Sequence, residues 1–310
     1  MSISENLETF LGNKVVDWEK DSKIEDPEAI TYRIRQSEYD TTKEVWLDLF
    51  NKFLQDPKVS QISALVIGNW PESYETSSSE IIDLLVSSAD RLLNLKAIFF
   101  GDTTYEECEI SWIIQSDMAP LLNAYPKLEH LTIRGGTKLK FTPVKLYNLK
   151  TLIIQTGGLP KEVIQGVYDS ELPELEHLEF WLGDENYGAD TTVEDLAPIL
   201  EGKLFPKLKN LGLCNSEYQN DIAQAVAKSA IVNQLEVLNL SMGTLTDIGA
   251  EALLNCSAIK KLKKLDLHHH YCSNEMMEKL KALGIEIDLS EQEKVDGDED
   301  EPSYYISVSE

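Results

Sequence analysis

Four carboxylates lie close together in the sequence after a short apolar run, and carboxylates so placed could bind a metal ion or transfer protons. They are Asp102, Glu107, Glu109 and Asp117. Asp102 and Glu109, together with the neighbouring His130, could serve a metal-dependent hydrolase. Their spacing matches no metal-binding signature, however, and charged runs of this kind are usually solvated. We therefore expect a solvated acidic loop without catalytic residues.

A run of three histidines, His268-His269-His270, is a second possible metal site. Alternate side chains of a strand share a face, so only His268 and His270 could act together, and no third ligand is evident. We favour the interpretation that these histidines are packed in the fold or exposed to solvent and bind no metal. The sequence also lacks the GxSxG, GxxxxGK[ST], GxGxxG and HExxH motifs of common catalytic and cofactor sites. We predict no metal, no cofactor and no enzymatic activity.

The composition excludes further classes of function. Of 310 residues, 54 are acidic and 28 basic, which gives a net charge of −26. Nucleic acids and anionic membranes attract basic proteins, so neither is an expected partner. We expect a cytoplasmic protein, because the N-terminus has no signal-peptide pattern, no apolar stretch reaches the roughly 20 residues of a membrane span, and the four cysteines are scattered.

A repeated motif predicts the elements that must position any site. The pattern apolar-x-x-apolar-x-apolar recurs about nine times, and a turn residue often follows it. Its last two apolar residues would share one face of a strand, and stacking the strands in parallel would bury that face. The segments between copies can return as helices, for which Thr192 with Asp195, Thr246 and Ser273 are candidate caps. The central apolar residues are Leu65, Ile98, Leu131, Leu152, Leu178, Leu211, Leu238, Leu265 and Ile287.

The two ends of the chain differ from this repeat region, which we place at residues 58–290. Residues 1–57 contain two extended candidates, 14–18 and 29–35, and a helical pattern over 42–54, and we expect them to form an N-terminal cap.

Residues 291–310 form an acidic C-terminal tail. We expect disorder over residues 296–301 because of their charge. Residues 304–308 resemble a strand, which either returns to pair with the edge of the sheet or dangles as a free terminus.

The L-x-x-L-x-L copies with helical returns resemble leucine-rich-repeat proteins of the ribonuclease-inhibitor-like group. Short phrases such as Phe100-Gly101-Asp102 and Trp181-Leu182-Gly183 look like an uncharacterised family of bacterial cytoplasmic leucine-rich-repeat proteins. The resemblance implies an α/β solenoid, a right-handed horseshoe with a parallel sheet on the concave face and helices on the convex face. It also implies a protein-interaction role.

In such a strand, the residues beside and between the buried pair would lie on the concave face. Phe99, Ile153 and Trp181 would then be apolar side chains facing solvent, and large exposed aromatics are typical interface anchors. Alternatively, the C-terminal tail or an insertion over residues 106–123 covers Phe99 and Trp181, and these side chains do not bind a partner. The predicted partner-binding residues are Phe99, His130, Arg134, Ile153, Gln155, His177, Glu179 and Trp181.

Glycine recurs where several strands end, as in Gly101, Gly135 and Gly183. We expect it to serve tight turns, because turns call for glycine, although exposed backbone amides there could also bind a ligand.

Taken together, the sequence predicts a non-catalytic intracellular scaffold that binds a protein or peptide on the concave face of its sheet. The alternatives are the metal-dependent hydrolase and a structural or assembly component of a multi-protein complex.

Overall fold

The computed structural model describes residues 3–36, 42–297 and 302–310 of this α/β chain. The chain divides into two compact units. The N-terminal unit comprises Ser2–Leu152 and Gln165–Pro173, and the C-terminal unit comprises Ile153–Ile164 and Glu174–Ser309. This division falls inside the predicted repeat region.

The N-terminal unit has strands in the sequential order β1 to β6, of which β1 and β2 are antiparallel and the later neighbours are parallel. Long crossovers are needed between parallel strands, and helices provide three of them. The elements are β1 (Thr9–Phe10), β2 (Asn13–Asp17), β3 (Ile30–Ile34), α1 (Lys43–Gln55), β4 (Ala64–Gly68), α2 (Ser79–Ser87), β5 (Ala97–Asp102), α3 (Ala119–Ala124) and β6 (His130–Arg134).

Two elements, β7 (Thr151–Gln155) and α4 (Lys161–Tyr168), have residues in both units. In the C-terminal unit, parallel strands alternate with helices, and α7 packs between α6 and α8. Its remaining elements are β8 (His177–Gly183), α5 (Ala197–Leu200), β9 (Asn210–Ser216), α6 (Gln219–Lys228), β10 (Val237–Asn239), α7 (Asp247–Asn255), β11 (Lys264–Asp266), α8 (Asn274–Lys281) and β12 (Glu286–Asp288).

The repeated apolar positions form the core of each unit. Leu178, Leu211 and Leu238 are paired across β8, β9 and β10, and Leu265 continues the row on β11. These side chains are at most 1% exposed, and burying each contributes roughly 1.5–3 kcal/mol. In the N-terminal unit, Ile98 is likewise paired with Leu131. The predicted register of these strands is confirmed, and each unit has a leucine-rich-repeat-like architecture.

The predicted helix caps are confirmed. Thr192 and Asp195 form a reciprocal capping box, and the side chains of Thr246 and Ser273 accept hydrogen bonds from the amides of Ile248 and Met276. Each bond satisfies an amide that has no partner within its own helix.

No helix in the described ranges has both the length and the apolar character needed to cross a bilayer. All four cysteines are free thiols, and Cys108, Cys214 and Cys272 are buried.

Candidate functional site

The predicted site residues are divided between the two units. Phe99, His130 and Arg134 lie in the N-terminal unit, whereas Ile153 and Gln155 belong to the C-terminal unit. The C-terminal unit also holds His177, Glu179 and Trp181.

Phe99 is buried, so the prediction that it faces solvent is wrong. Residues 3–12, here called the N-terminal segment, cover the face of the sheet opposite the leucine core. Phe10 of this segment lies edge-on to Phe99, with ring centroids 6.1 Å apart, and edge-on to His130 at 5.2 Å. Leu7 packs against the same cluster, whose buried members are Phe10, Val15, Ala64, Val66, Ala97 and Phe99. A second apolar core therefore occupies this face of the N-terminal unit.

Arg134 is also buried, at 5% exposure, and Asp102 is fully buried beside it. The guanidinium of Arg134 lies over the Phe99 ring at 5.0 Å, and its Nη1 donates to the Thr103 carbonyl at 2.9 Å. Burial lowers the pKa of Arg134 to about 10, while the negative charges of Asp102 and Glu107 oppose that shift. Arg134 thus belongs to the interior of the unit.

Asp102 is the centre of a buried ionic network, so the prediction of a solvated acidic loop is wrong for this residue. Its Oδ2 lies 2.8 Å from Nη1 of Arg33 and its Oδ1 lies 3.5 Å from Nη1 of Arg134. The amide of Leu7 also donates to the carboxylate, at 3.2 and 3.3 Å. The ions compensate one another and at the same time attach the N-terminal segment to β5.

Two other carboxylates of the predicted acidic cluster, Glu107 and Asp117, have separate structural roles. Glu107 pairs with Arg35 at 3.0 Å and accepts a hydrogen bond from the Thr104 amide at 2.9 Å. Asp117 accepts hydrogen bonds from the amides of Ala119 and Thr142, both at 3.1 Å. These contacts stabilise loops and account for the carboxylates without a bound ligand.

The C-terminal unit presents a different surface, here called the polar face. It lies opposite the leucine core and comprises His177, Glu179, Trp181, Asn239, Asp266, His268 and Asp288. Neighbours in the sheet place Glu179, Gly212, Asn239, Asp266 and Asp288 in one row across five strands. Glu179 and Trp181 are half-buried.

Glu179 organises one end of this polar face. Its Oε1 accepts the indole N–H of Trp181 at 2.9 Å, and its Oε2 lies 3.7 Å from His177 and 3.4 Å from the amide nitrogen of Asn239. Burial alone would raise the pKa of Glu179, but these hydrogen bonds and the charge of His177 hold that pKa below its ordinary value. The carboxylate is therefore ionised at neutral pH and fixes the orientation of the Trp181 ring.

Gly212 makes this arrangement possible. A Cβ atom at this position would lie only 2.6 Å from Cγ of Glu179. Without that atom, the Glu179 side chain lies across β9 and reaches Asn239 on β10.

Residues 302–309, here called the C-terminal segment, are held along the strand ends of the C-terminal unit. The Val308 amide donates to Oδ1 of Asn215 at 2.9 Å, and the Ser307 amide donates to the Met242 carbonyl at 2.8 Å. A ring nitrogen of His269 lies 3.1 Å from the carbonyl oxygen of Tyr305. The three partners lie at the carboxyl ends of β9, β10 and β11, with Asn215 among the last residues of β9 and Met242 and His269 just beyond their strands. All three have left-handed backbones, with φ of 54°, 68° and 53°.

This binding mode differs from both predictions for the tail, because the segment neither pairs with the sheet edge nor hangs free. Ile306 and Val308 are buried. Within the predicted disordered stretch, residues 298–301 lie outside the described residues, whereas Asp296 forms an antiparallel bridge with Ser303.

The histidine run divides into three roles. His270 is buried, its Nε2 lies 3.2 Å from the Leu289 carbonyl oxygen and its Nδ1 accepts the Cys272 amide, as the packing interpretation expected. His269 holds the C-terminal segment, and His268 lies on the polar face beside Asp266.

The strand-end glycines serve the backbone. Gly183 has φ of 82°, and a Cβ atom there would lie 2.0 Å from the Gly157 carbonyl oxygen. Only glycine permits this close approach. The turn interpretation therefore accounts for this position.

Comparison with solved structures identifies similar chains. A crystal structure of a Bacteroides fragilis protein, a target of the Northeast Structural Genomics Consortium, has a TM-score of 0.78 and 34% identity, covering 87% of this chain and 76% of that one. An internalin from Listeria monocytogenes has a TM-score of 0.36 and 14% identity, covering 75% of this chain and 56% of that one. No protein-family model matches the chain. No curated protein matches it significantly.

Proposed function

The chain belongs to the same family as the Bacteroides fragilis protein, and we propose that it is a non-catalytic scaffold that binds a protein or peptide on the polar face. The predicted ribonuclease-inhibitor-like horseshoe, with this face concave, and the predicted cytoplasmic location are parts of the same proposal.

The observation that carries the proposal is the fixed geometry around Glu179. A half-buried Trp181 ring is oriented by its hydrogen bond to Glu179, and the carboxylate is oriented by His177 and Asn239. These side chains project from sheet strands, which hold positions more precisely than loops do. A preformed surface loses little conformational entropy when it binds, and tryptophan is a frequent source of binding energy.

The charges of the polar face suggest the chemistry of the partner. Glu179, Asp266 and Asp288 offer carboxylate oxygens along one row of the sheet. The chain as a whole carries a net charge of −26, which would accelerate the approach of a positively charged partner. A segment with an apolar side chain for Trp181 and amide or cationic donors for the carboxylates would fit this surface.

The structure changes which predicted residues belong to the proposed surface. His177, Glu179 and Trp181 remain, with Ile153 and Gln155 half-buried in the same unit. Phe99 is excluded because the N-terminal segment covers it, and Arg134 is excluded because it is buried and donates to the Thr103 carbonyl. The hydrolase alternative loses support as well, because Asp102 is held between two arginines.

Substitution of Trp181 tests the proposal. We expect Trp181→Ala to reduce partner capture from lysate at least tenfold, which corresponds to about 1.4 kcal/mol, within the range for an interface anchor. Trp112→Ala is the matched control, since Trp112 is 57% exposed and lies in the other unit. Quantitative mass spectrometry of captured proteins, with circular dichroism to verify folding, provides the measurement. Equal capture by wild type and Trp181→Ala would reject the polar face as the binding surface.

A further inference from the structure

Three potential metal ligands converge at the far end of the polar face. Register pairs Asp266 on β11 with Asp288 on β12, and His268 follows Asp266 by two residues. One ligand atom from each of Asp266, His268 and Asp288 lies within 4.8 Å of the other two. All three residues are half-buried. Among the described residues, these three form the group of histidine, cysteine or carboxylate side chains whose ligand atoms come this close together.

We propose that Asp266, His268 and Asp288 bind a divalent transition-metal ion, with Zn²⁺ the best match. Imidazole nitrogen and carboxylate oxygen are both zinc ligands, and open zinc sites use three protein ligands with water in the fourth position. The imidazole favours Zn²⁺ over Mg²⁺ or Ca²⁺, which prefer oxygen ligands alone.

The contacts already present orient the ligands for such an ion. Nδ1 of His268 lies 2.7 Å from Oδ1 of Asp266, so a proton is shared where the metal would enter. Typical Zn–N and Zn–O distances are about 2.0–2.2 Å, so the ion can replace that proton after the two atoms separate slightly. A carboxylate oxygen of Asp288 lies within 4.8 Å of the ligand atoms of both residues.

The neighbouring groups are consistent with this assignment. Ser290 donates from its amide and hydroxyl to Oδ1 of Asp288, at 3.0 and 2.6 Å, which leaves Oδ2 for the ion. Lys264 contacts Oδ2 of Asp266 at 2.9 Å, and its side chain is 34% exposed. Its ammonium neutralises the site in the absence of metal and can move into solvent when the ion binds. The carboxylates carry two negative charges, which favour a divalent cation over the single charge of Lys264.

Titration of the purified full-length chain tests this site independently of the proposed function. We expect isothermal titration calorimetry with ZnCl₂ to show one ion bound per chain, and MgCl₂ to compete weakly. His268→Asn and Asp288→Asn should each weaken Zn²⁺ binding by about 100-fold or more, because even outer ligands of metal sites contribute about 10–100-fold.

His177→Asn is the matched control. His177 also lies beside a carboxylate, that of Glu179, but it does not belong to the group of three converging ligands. The Zn²⁺ affinity of the His177→Asn variant should equal that of the wild type. Co²⁺ absorption spectra add a second readout, since ligation by nitrogen and oxygen lacks the charge-transfer band that thiolate ligation by a cysteine would give.

Three results would overturn the assignment. They are the absence of Zn²⁺ binding, wild-type affinity in Asp288→Asn, and equal loss of affinity in His177→Asn. The last result, or a thiolate band with Co²⁺, would identify an adventitious ion only. Partner capture is measured separately, so failure of the metal site leaves the result for Trp181→Ala unaffected.

Discussion

Asp102→Asn is the substitution that most directly tests how the N-terminal segment is held. The replacement keeps the shape of the side chain and removes its charge. Asp102 is fully buried, and the side chains of its partners Arg33 and Arg134 are 9% and 6% exposed. Removing one partner from a buried ionic group costs about 3–5 kcal/mol, because the remaining charges stay buried with less compensation.

The loss should be large relative to the total stability and local in its origin. Domains are typically stable by about 5–15 kcal/mol, so the variant should unfold at clearly lower urea concentration. Arg33 retains Asp17 at 2.6 Å, and Arg134 loses its contact with the Asp102 carboxylate. The Leu7 amide also loses an anionic acceptor, so we expect hydrogen exchange to increase first in the N-terminal segment.

Urea unfolding followed by far-UV circular dichroism, combined with hydrogen-exchange mass spectrometry, measures both effects. Glu106→Gln is the control, since Glu106 is exposed in the loop that follows β5 and its substitution should change stability by less than about 0.5 kcal/mol. Equal stability of Asp102→Asn and wild type, or equal losses in Asp102→Asn and Glu106→Gln, would refute the role of the buried network.

Two further predictions concern the C-terminal unit. The folded-state pKa of Glu179 lies below its ordinary value of 4.5, so its ionisation stabilises the fold above that pH. The stability advantage of wild type over Glu179→Gln should therefore shrink as pH falls below 4.5. Urea midpoints of the two proteins that differ by a constant amount between about pH 3 and 7 would contradict this prediction. Asn215→Gly keeps the left-handed backbone but removes the two side-chain bonds to Val308, each worth about 1 kcal/mol. Exchange of the Val308 amide should then rise roughly thirtyfold, and unchanged exchange would show that the segment is held by its buried side chains alone.

The buried register of the sheet could be predicted from sequence because it depends on local periodicity. Leu178, Leu211 and Leu238 recur in phase, and the structure pairs them. The caps of Thr246 and Ser273 were predictable for the same reason, since a cap and its amide are two or three residues apart.

The burial of Phe99 could not be predicted in this way. Its cover comes from Leu7 and Phe10, about ninety residues earlier in the chain, and neither residue belongs to a repeat. The pairing of Asp102 with Arg33 has the same long-range origin. Contacts between distant segments depend on how the chain ends fold back, and a repeat pattern carries no information about them.

The convergence of Asp266 with Asp288 lies between these cases. The sequence places both residues at corresponding positions of successive repeats, so the correct register implies that they are neighbours. The histidine run itself contains no third ligand, because the second carboxylate, Asp288, comes from the next strand. Reading across repeats is the signal that could have found it.

Because Gly212 has no side chain, a substitution at this position would change the arrangement of the polar face. The Glu179 carboxylate and Asn239 meet across an intervening strand only because the position between them is empty. An alanine there would push the carboxylate away from Asn239 and rotate Trp181 with it, although no polar residue had been altered. Under the proposed function, substitution of Gly212 would therefore change which molecules bind to the polar face, although His177, Glu179 and Trp181 keep their identities.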